Sequence, residues 1–378
     1  MQISFFVDRE RRSPERLLQD WYALEDVAAA VASTGERVTV VQASNVEGSV
    51  TKRGVDFVFM APDAPTGLLA RSAAFRSRLR DLAPDVVHVH GLDFPRDVLA
   101  LRELVPNVPI LLQDHAGRVP RFWRRATWRR AAAAVDGVSF CARAQIAPFV
   151  SAGMFPRQVR QFEIPELTTR FGPGDMAAAR AATGLHGDPA VLCVGHLDRN
   201  KDPLAVLDGV ARAVADLPGL TLWCCFGSAP LLPSIEARIA HDPALRGRVH
   251  LLGRVPHEQI EQLMRAADLF VLGSHREGGN CSLVEALATG LPPIVTDIPS
   301  SRALLGQGAV GAFWPPGDSS ALADALRAAA AARGPVARAC VRAYFESHLS
   351  SVALGRRLSA AYRELVSPLS IAASRVLA

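Results

Sequence analysis

The sequence predicts an α/β protein in which the same arrangement occurs twice. Short β-branched runs alternate with longer amphipathic stretches, the pattern of parallel strands joined by crossover helices. The alternation comes in two series, and the segment between them carries Pro165, Gly172, Pro173 and Gly174 without strand alternation. At 378 residues the chain also exceeds the roughly 100–200 residues of an ordinary domain.

In the first series, residues 3–7, 37–42, 55–60, 86–90, 110–113 and 137–141 read as strands, with helices expected over 14–34, 68–82 and 124–135. The second series has strands at 190–195, 220–226, 249–252, 269–272 and 293–296, with helices at 203–216, 233–239, 257–266 and 282–288. Residues 321–332 form an alanine-rich helix of high intrinsic propensity. The connection between the two series is placed within residues 164–186.

Composition sets outer limits. With 49% hydrophobic and 21% charged residues the chain can bury sizeable cores, which excludes disordered, collagenous and disulfide-scaffold classes. The apolar run at the N-terminus meets Asp8, Arg9, Glu10, Arg11 and Arg12 and is too short for a secretory segment, and no later stretch reaches the ~18 apolar residues of a membrane span. The six cysteines show no CxxC spacing and sit mostly in apolar runs, so a reducing cytoplasm and no metal site are expected. The 42 basic and 37 acidic residues leave a net charge of +5, which permits an anionic partner without naming one. Only Lys52 and Lys201 are lysines; every other cation is arginine.

The most informative window runs from Arg276 to Pro292. It follows a buried strand, carries Gly278-Gly279, enters a helix near Ser282 and leaves it at Gly290 with Pro292 beyond. A glycine turn feeding a helix N-terminus brings backbone N–H groups to an anion that the helix dipole also favours, which is phosphate-site geometry. Glu277 and Glu285 flank the turn, and carboxylates accept hydrogen bonds from paired hydroxyls such as those of ribose or a hexose. A plainer account also exists: Ser282 and Glu285 have capping-box spacing, and two glycines alone make a tight turn.

These residues resemble a known family. Glu277 and Glu285 have the E-x7-E spacing of retaining family 4 glycosyltransferases (glycosyltransferase group 1), and Glu285 to Thr296 is similar to that motif's continuation. Val194 to Pro203 resembles the family's glycine-arginine-leucine segment ending in lysine. Residues 251–257 and 266–271 resemble the segment that packs on the nucleotide base, residues 84–90 and Gln113-Asp114-His115 the acceptor-domain strands, and 314–318 the late loop.

The resemblance implies the GT-B architecture, two Rossmann-like domains facing across a cleft. An acceptor-binding domain over 1–165, with a C-terminal helix 358–378 packing back on it, would precede a donor-binding domain over 166–357. It further implies that Glu285 takes the ribose hydroxyls and Glu277 hydroxyls of the transferred sugar. The backbone of Gly278, Gly279, Asn280 and Cys281, entering the helix at Ser282, would cradle the pyrophosphate. Lys201 would neutralise the leaving phosphates, and its place as one of two lysines fits that role, since arginine serves equally well elsewhere in this chain as a solvated cation. Arg254 and Val255 would lie at the base, and His115 near the reacting sugar.

Three departures stand out. His196 occupies the position of the family arginine, so either it is a weaker phosphate clamp or Arg199 substitutes for it. The Gly-Gly pair of the first acceptor-domain loop is replaced by residues 8–14, and the Asn-Gly of the interdomain strand by Ile164-Pro165-Glu166-Leu167. His90, at a strand end, is read as a structural residue with no assigned partner.

Arg121 to Arg130 is basic and aromatic. Peripheral contact with the inner membrane face would use its arginines and tryptophans. The five-residue spacing of Trp123 and Trp128 favours a helix packing its aromatic side on the domain, and no nucleic-acid module accompanies the patch.

The expected function is a metal-independent, retaining transfer of a sugar from a UDP- or GDP-sugar to a hydroxyl acceptor (a saccharide, lipid-linked or small molecule), without a cofactor or nucleic-acid partner. The alternatives are a sugar phosphorylase or synthase of the same fold and a catalytically silent nucleotide-sugar-binding protein.

Overall fold

The computed structural model describes residues 1–7, 12–61 and 69–367. Asp8 to Arg11 of the altered first loop, Leu68, and residues 368–378 of the expected C-terminal helix lie outside them. The chain divides into two compact units, residues 1–168 with the segment from 351 onward, and residues 169–350.

The first unit holds strands β1 (Gln2–Ser4), β2 (Val38–Ala43), β3 (Gly48–Lys52), β4 (Val55–Met60), β5 (Val87–His90), β6 (Ile110–Gln113), β7 (Gly137–Phe140) and β8 (Arg160–Glu163). They form one sheet in the order β3-β4-β2-β1-β5-β6-β7-β8, parallel except for the β3–β4 hairpin at its edge. The central strands are buried throughout, as expected for a parallel sheet covered on both faces. The hairpin strand β3 and edge strand β8 escape a hydrophobic reading because their residues are mostly exposed or half-buried.

The helix expected over 14–34 is two helices, Pro14–Asp20 and Tyr22–Ala32, broken at Trp21, whose ψ of 45° is non-helical. Trp21 packs against Phe6 with ring centroids 5.5 Å apart. The second helix buries two acids, Glu25 and Asp26, and the hairpin neutralises them: Lys52 reaches Glu25 at 2.8 Å and Arg53 reaches Asp26 at 2.5 Å. Carboxylates buried this deeply need such partners, so Lys52 is a structural lysine. Helix Ser351–Val366 packs on helix Tyr22–Ala32 in this same unit, and begins ahead of the expected 358. The two approach closely at Gly355, where a Cβ would sit 2.1 Å from the Ala30 carbonyl oxygen.

The second unit holds β9 (Ala190–Val194), β10 (Thr221–Cys225), β11 (Val249–Gly253), β12 (Leu269–Leu272), β13 (Pro293–Thr296) and β14 (Ala312–Trp314). All are parallel, in the order β11-β10-β9-β12-β13-β14. This is the doubly wound arrangement, and its strand order reverses between β9 and β12, the place where such sheets bind ligands at their carboxyl ends.

Candidate functional site

The loops leaving β9 and β12 meet at that reversal point. After β9, the Asp198 carboxylate accepts the backbone N–H groups of Asn200 and Lys201, both at 2.9 Å, which folds Gly195–Lys201 into a tight turn. Asn200 ties this turn to the β12 loop: its Nδ2 donates to the Arg276 carbonyl at 3.0 Å and its own carbonyl accepts from His275 N–H at 2.8 Å. Gly273 permits the approach, because a Cβ there would lie 2.8 Å from the Lys201 carbonyl oxygen. The turn places Lys201 Nζ 2.6 Å from Glu277 Oε1, with both side chains largely buried (16% and 14% exposed). Two predicted site residues 76 positions apart in sequence thus form one ion pair.

Helix Cys281–Thr289 begins immediately after this loop. Its N-cap is Asn280, whose Oδ1 accepts from Leu283 N–H at 3.1 Å. The plainer account, a capping box of Ser282 and Glu285, is therefore not what starts this helix. Ser282 instead points its hydroxyl at Asn280 Oδ1 and at the Val194 carbonyl, each at 2.9 Å, fastening the helix start to the end of β9. With Oδ1 committed to the cap, the buried Asn280 Nδ2 has no partner among the described residues. A donor at a helix N-terminus in that state suits an anionic ligand.

Glu285 is 2% exposed and accepts from His257 Nε2 at 2.6 Å, with Cys281 Sγ 3.6 Å away. His257 stacks in turn on Phe171, ring centroids 4.5 Å apart. Sequence reasoning placed His257 only in the 251–257 segment likened to the base-packing one and did not single out Phe171; the His257–Glu285 contact spans 28 positions and has no local signal. His196 is exposed, and its Nδ1 accepts the Ser228 backbone N–H at 3.1 Å. Gly227 lies between His196 and Arg254: a Cβ there would meet His196 Cε1 at 3.6 Å and Arg254 Nη2 at 3.8 Å. Arg199 is exposed on the β9 turn, and Val255 is half-buried after β11.

In the first unit the register aligns a row of buried polar residues at the carboxyl ends of the strands. Ser4 pairs with Gln42 and with His90, His90 with Gln113, and Gln113 with Ser139. His90, read as a structural residue with no assigned partner, has two: Gln2 Oε1 lies 3.2 Å from its Nε2, and His115 Nε2 lies 3.3 Å from its Nδ1. His88, His90 and His115 stack in succession, with centroid separations of 4.5 Å and 5.5 Å. His88 also meets the Tyr362 hydroxyl at 2.7 Å. Burial holds His88 down to about 3 and His90 well below the usual imidazole range, so both are neutral at pH 7.

His115 differs. Its Nδ1 lies 2.9 Å from Glu166 Oε2. Burial alone would lower its pKa, but the hydrogen bond and charge of Glu166, with the charge of Asp114, raise it. Asp114 is pushed up to about 6, by burial first and by Glu166 as well, even though its Oδ1 accepts the Gly117 N–H at 2.8 Å. Glu166 was read only as part of a replaced motif; the structure makes it the partner of the predicted histidine.

The Arg121–Arg130 segment separates its two tryptophans. Trp128, on helix Arg125–Ala133, is buried at 7% exposure, as a packing helix requires. Trp123 is not on that helix. It stands with Phe122 on the preceding 3₁₀ turn Phe122–Arg124, and the two are 61% and 77% exposed.

No helix among the described residues is long and apolar enough to cross a membrane.

Comparison with known proteins agrees with this architecture. Residues 188–331 match the family model described as glycosyl transferases group 1, and residues 23–160 match glycosyltransferase family 4. The D-inositol 3-phosphate glycosyltransferases of Nocardia farcinica and Mycobacterium bovis are each 34% identical to it, over 185 and 181 residues, or 46% of this chain in both cases. The matches cover 40% and 37% of those proteins, so the chain spans well under half the length of these relatives. Among solved structures, sucrose-phosphate synthase of Thermosynechococcus elongatus superposes with a TM-score of 0.71 at 19% identity, covering 96% of this chain and 98% of that one. HepE of Anabaena in complex with UDP gives 0.70 at 17% identity, covering 97% and 100%. A glycosyltransferase from Rickettsia africae gives 0.73 at 13% identity, covering 97% and 98%. At these identities the structures speak for the fold, and the two family models between them match most of the sequence: the chain belongs to the family 4 (group 1) glycosyltransferases of GT-B fold.

Proposed function

We infer that this protein transfers a sugar from a nucleoside diphosphate sugar, UDP- or GDP-linked, to a hydroxyl acceptor, with retention of anomeric configuration and without metal or cofactor. The observation that carries the reading is the Lys201–Glu277 pair, 2.6 Å apart at the strand reversal and beside the start of helix Cys281–Thr289. A bound diphosphate draws Lys201 toward the departing phosphate oxygens, leaving Glu277 to accept hydroxyls of the transferred sugar. The N–H groups at the helix start and the unpartnered Asn280 amide add donors for the same anion. Glu285 binds the ribose hydroxyls, and His257, already hydrogen-bonded to it, orients its carboxylate. No side chain here acts as a covalent nucleophile; attack on the same face lets the departing phosphate oxygen take the acceptor proton, with Glu277 as a positioning group.

A second reading, binding of a nucleotide sugar without transfer, draws on His196 in place of the family arginine and on His115, whose two ring nitrogens both have partners within the first unit. One experiment separates the two. The protein is incubated with a panel of UDP- and GDP-sugars and hydroxyl acceptors, including inositol 3-phosphate and hexose phosphates, the acceptor classes suggested by the relatives. Release of nucleoside diphosphate with an α-configured product from an α-linked donor supports retaining transfer. Saturable nucleotide-sugar binding with no turnover on any acceptor leaves only the binder, and sugar release that depends on inorganic phosphate identifies a phosphorylase.

A further inference from the structure

The turn Phe122–Arg124 is built for something other than this protein's own core. Trp128 already fills the space under helix Arg125–Ala133, and the adjoining aromatic pair faces outward, Phe122 edge-on to Trp123 at 4.9 Å. Between Asp114 and Asp136 the sequence holds six arginines, at 118, 121, 124, 125, 129 and 130, and not one carboxylate. Two are used internally: Arg125 donates to the Pro120 carbonyl, and Arg129 to those of Ala152 and Gly153. Arg118, Arg121, Arg124 and Arg130 are exposed and form no ion pair among the described residues. Other arginines of the same unit do, as in Arg102–Asp136 and Arg160–Glu364. Arg121 lies 5.4 Å over the Trp123 ring, so cation and aromatic present themselves together.

We propose that this surface docks the protein on an anionic lipid bilayer, with Phe122 and Trp123 in the headgroup zone and the unpaired arginines on lipid phosphates. Charge complementarity selects that occupant. Arg121 over the Trp123 ring and exposed Arg124 on the same turn, in a segment with two further exposed arginines and no carboxylate, match a negatively charged interface in which a tryptophan ring is at home. The neighbouring groove of about 510 Å³ under Trp123 and Arg124 has mixed charge, with Asp93 and Asp97 opposing Arg96, and the docking surface is the turn and not the groove.

The test sediments the full chain with phosphatidylcholine vesicles with and without phosphatidylglycerol. Binding is expected only to the anionic vesicles and falls with added salt. Arg121→Gln with Arg124→Gln should weaken it roughly 25-fold, about five-fold per arginine. Phe122→Ser with Trp123→Ser should weaken it by about ten-fold or more while keeping the salt dependence. Because all four side chains are exposed, thermal unfolding of these variants should match wild type. A measurement free of the multiple variants is quenching of tryptophan emission by brominated phospholipid, expected in the wild type and lost in Trp123→Phe. Absence of binding to anionic vesicles overturns the proposal, as do equal binding by all variants, quenching that survives Trp123→Phe, or mixed-sequence RNA binding at lower concentration than the vesicles.

Discussion

His115 and Glu166 form an ion pair 2.9 Å long, and the second ring nitrogen of the same histidine lies 3.3 Å from His90. With His90 held neutral by burial, the donor order that satisfies all three runs from His115 Nε2–H to His90 Nδ1 and from His115 Nδ1–H to Glu166. His115 is therefore held on both sides, and Glu166 and Asp114 favour its charged form.

Glu166→Gln removes the charge that raises the His115 pKa, so that value should fall, as followed by NMR titration of the ring. A histidine whose folded pKa lies above its unfolded one stabilises the fold fully below the unfolded value and loses that contribution as pH rises through the folded one. The variant should lose this stability component at low pH and resemble wild type at high pH. The difference should stay below about 1 kcal/mol, since a histidine side chain 40% exposed is screened by water. An unchanged His115 titration contradicts the pairing.

Glu285→Ala and Glu277→Ala should differ in kind. If Glu285 takes the ribose hydroxyls as proposed, its loss should weaken binding of the free nucleoside diphosphate by about 10- to 100-fold, the worth of charge-assisted hydrogen bonds. If Glu277 takes hydroxyls of the transferred sugar, its loss should leave that affinity near wild type and lower turnover instead. Calorimetry with the diphosphate and a kcat measurement decide it; equal nucleotide affinity in both variants and wild type removes the assignment.

In the proposed mechanism Lys201 supplies the cationic charge that would make transfer independent of metal. Chelator should leave transfer intact, whereas Lys201→Met should lower kcat by about two to three orders of magnitude. Activity abolished by chelator and restored by magnesium or manganese contradicts this.

His196 accepts the Ser228 N–H through Nδ1, which leaves Nε2 as its one ring nitrogen for a phosphate. His196→Arg should bind the nucleoside diphosphate more tightly by calorimetry, because a guanidinium fork holds two oxygens. An affinity no higher than wild type would show that His196 does not face the phosphates.

Gly355→Ala tests the contact between helices Tyr22–Ala32 and Ser351–Val366. The added methyl would lie 2.1 Å from a backbone carbonyl that cannot rotate away. The overpacking should cost about 1–3 kcal/mol, read as a lower urea midpoint. Gly35→Ala is not a matching control, because its φ of +92° adds strain of its own.

Local physics made part of this protein legible in its sequence. Helix His257–Ala266 appears at its predicted bounds, because its apolar residues recur at helical spacing and Pro256 precedes it. Gly290 ends helix Cys281–Thr289 in the left-handed conformation that glycine takes without strain. Motif spacing singled out Lys201, Glu277 and Glu285, and the fold brings Lys201 to Glu277 beside the start of the helix that carries Glu285. What the sequence left undetermined depends on pairs distant along it. The Asn280 cap won over the Ser282–Glu285 box because His257 claims Glu285 and β9 claims Ser282. The polar row from Gln42 to Ser139 exists only once five strands are in register. Likewise Glu166 acquires a role only when the fold brings it to His115, a contact across 51 positions that no local propensity encodes.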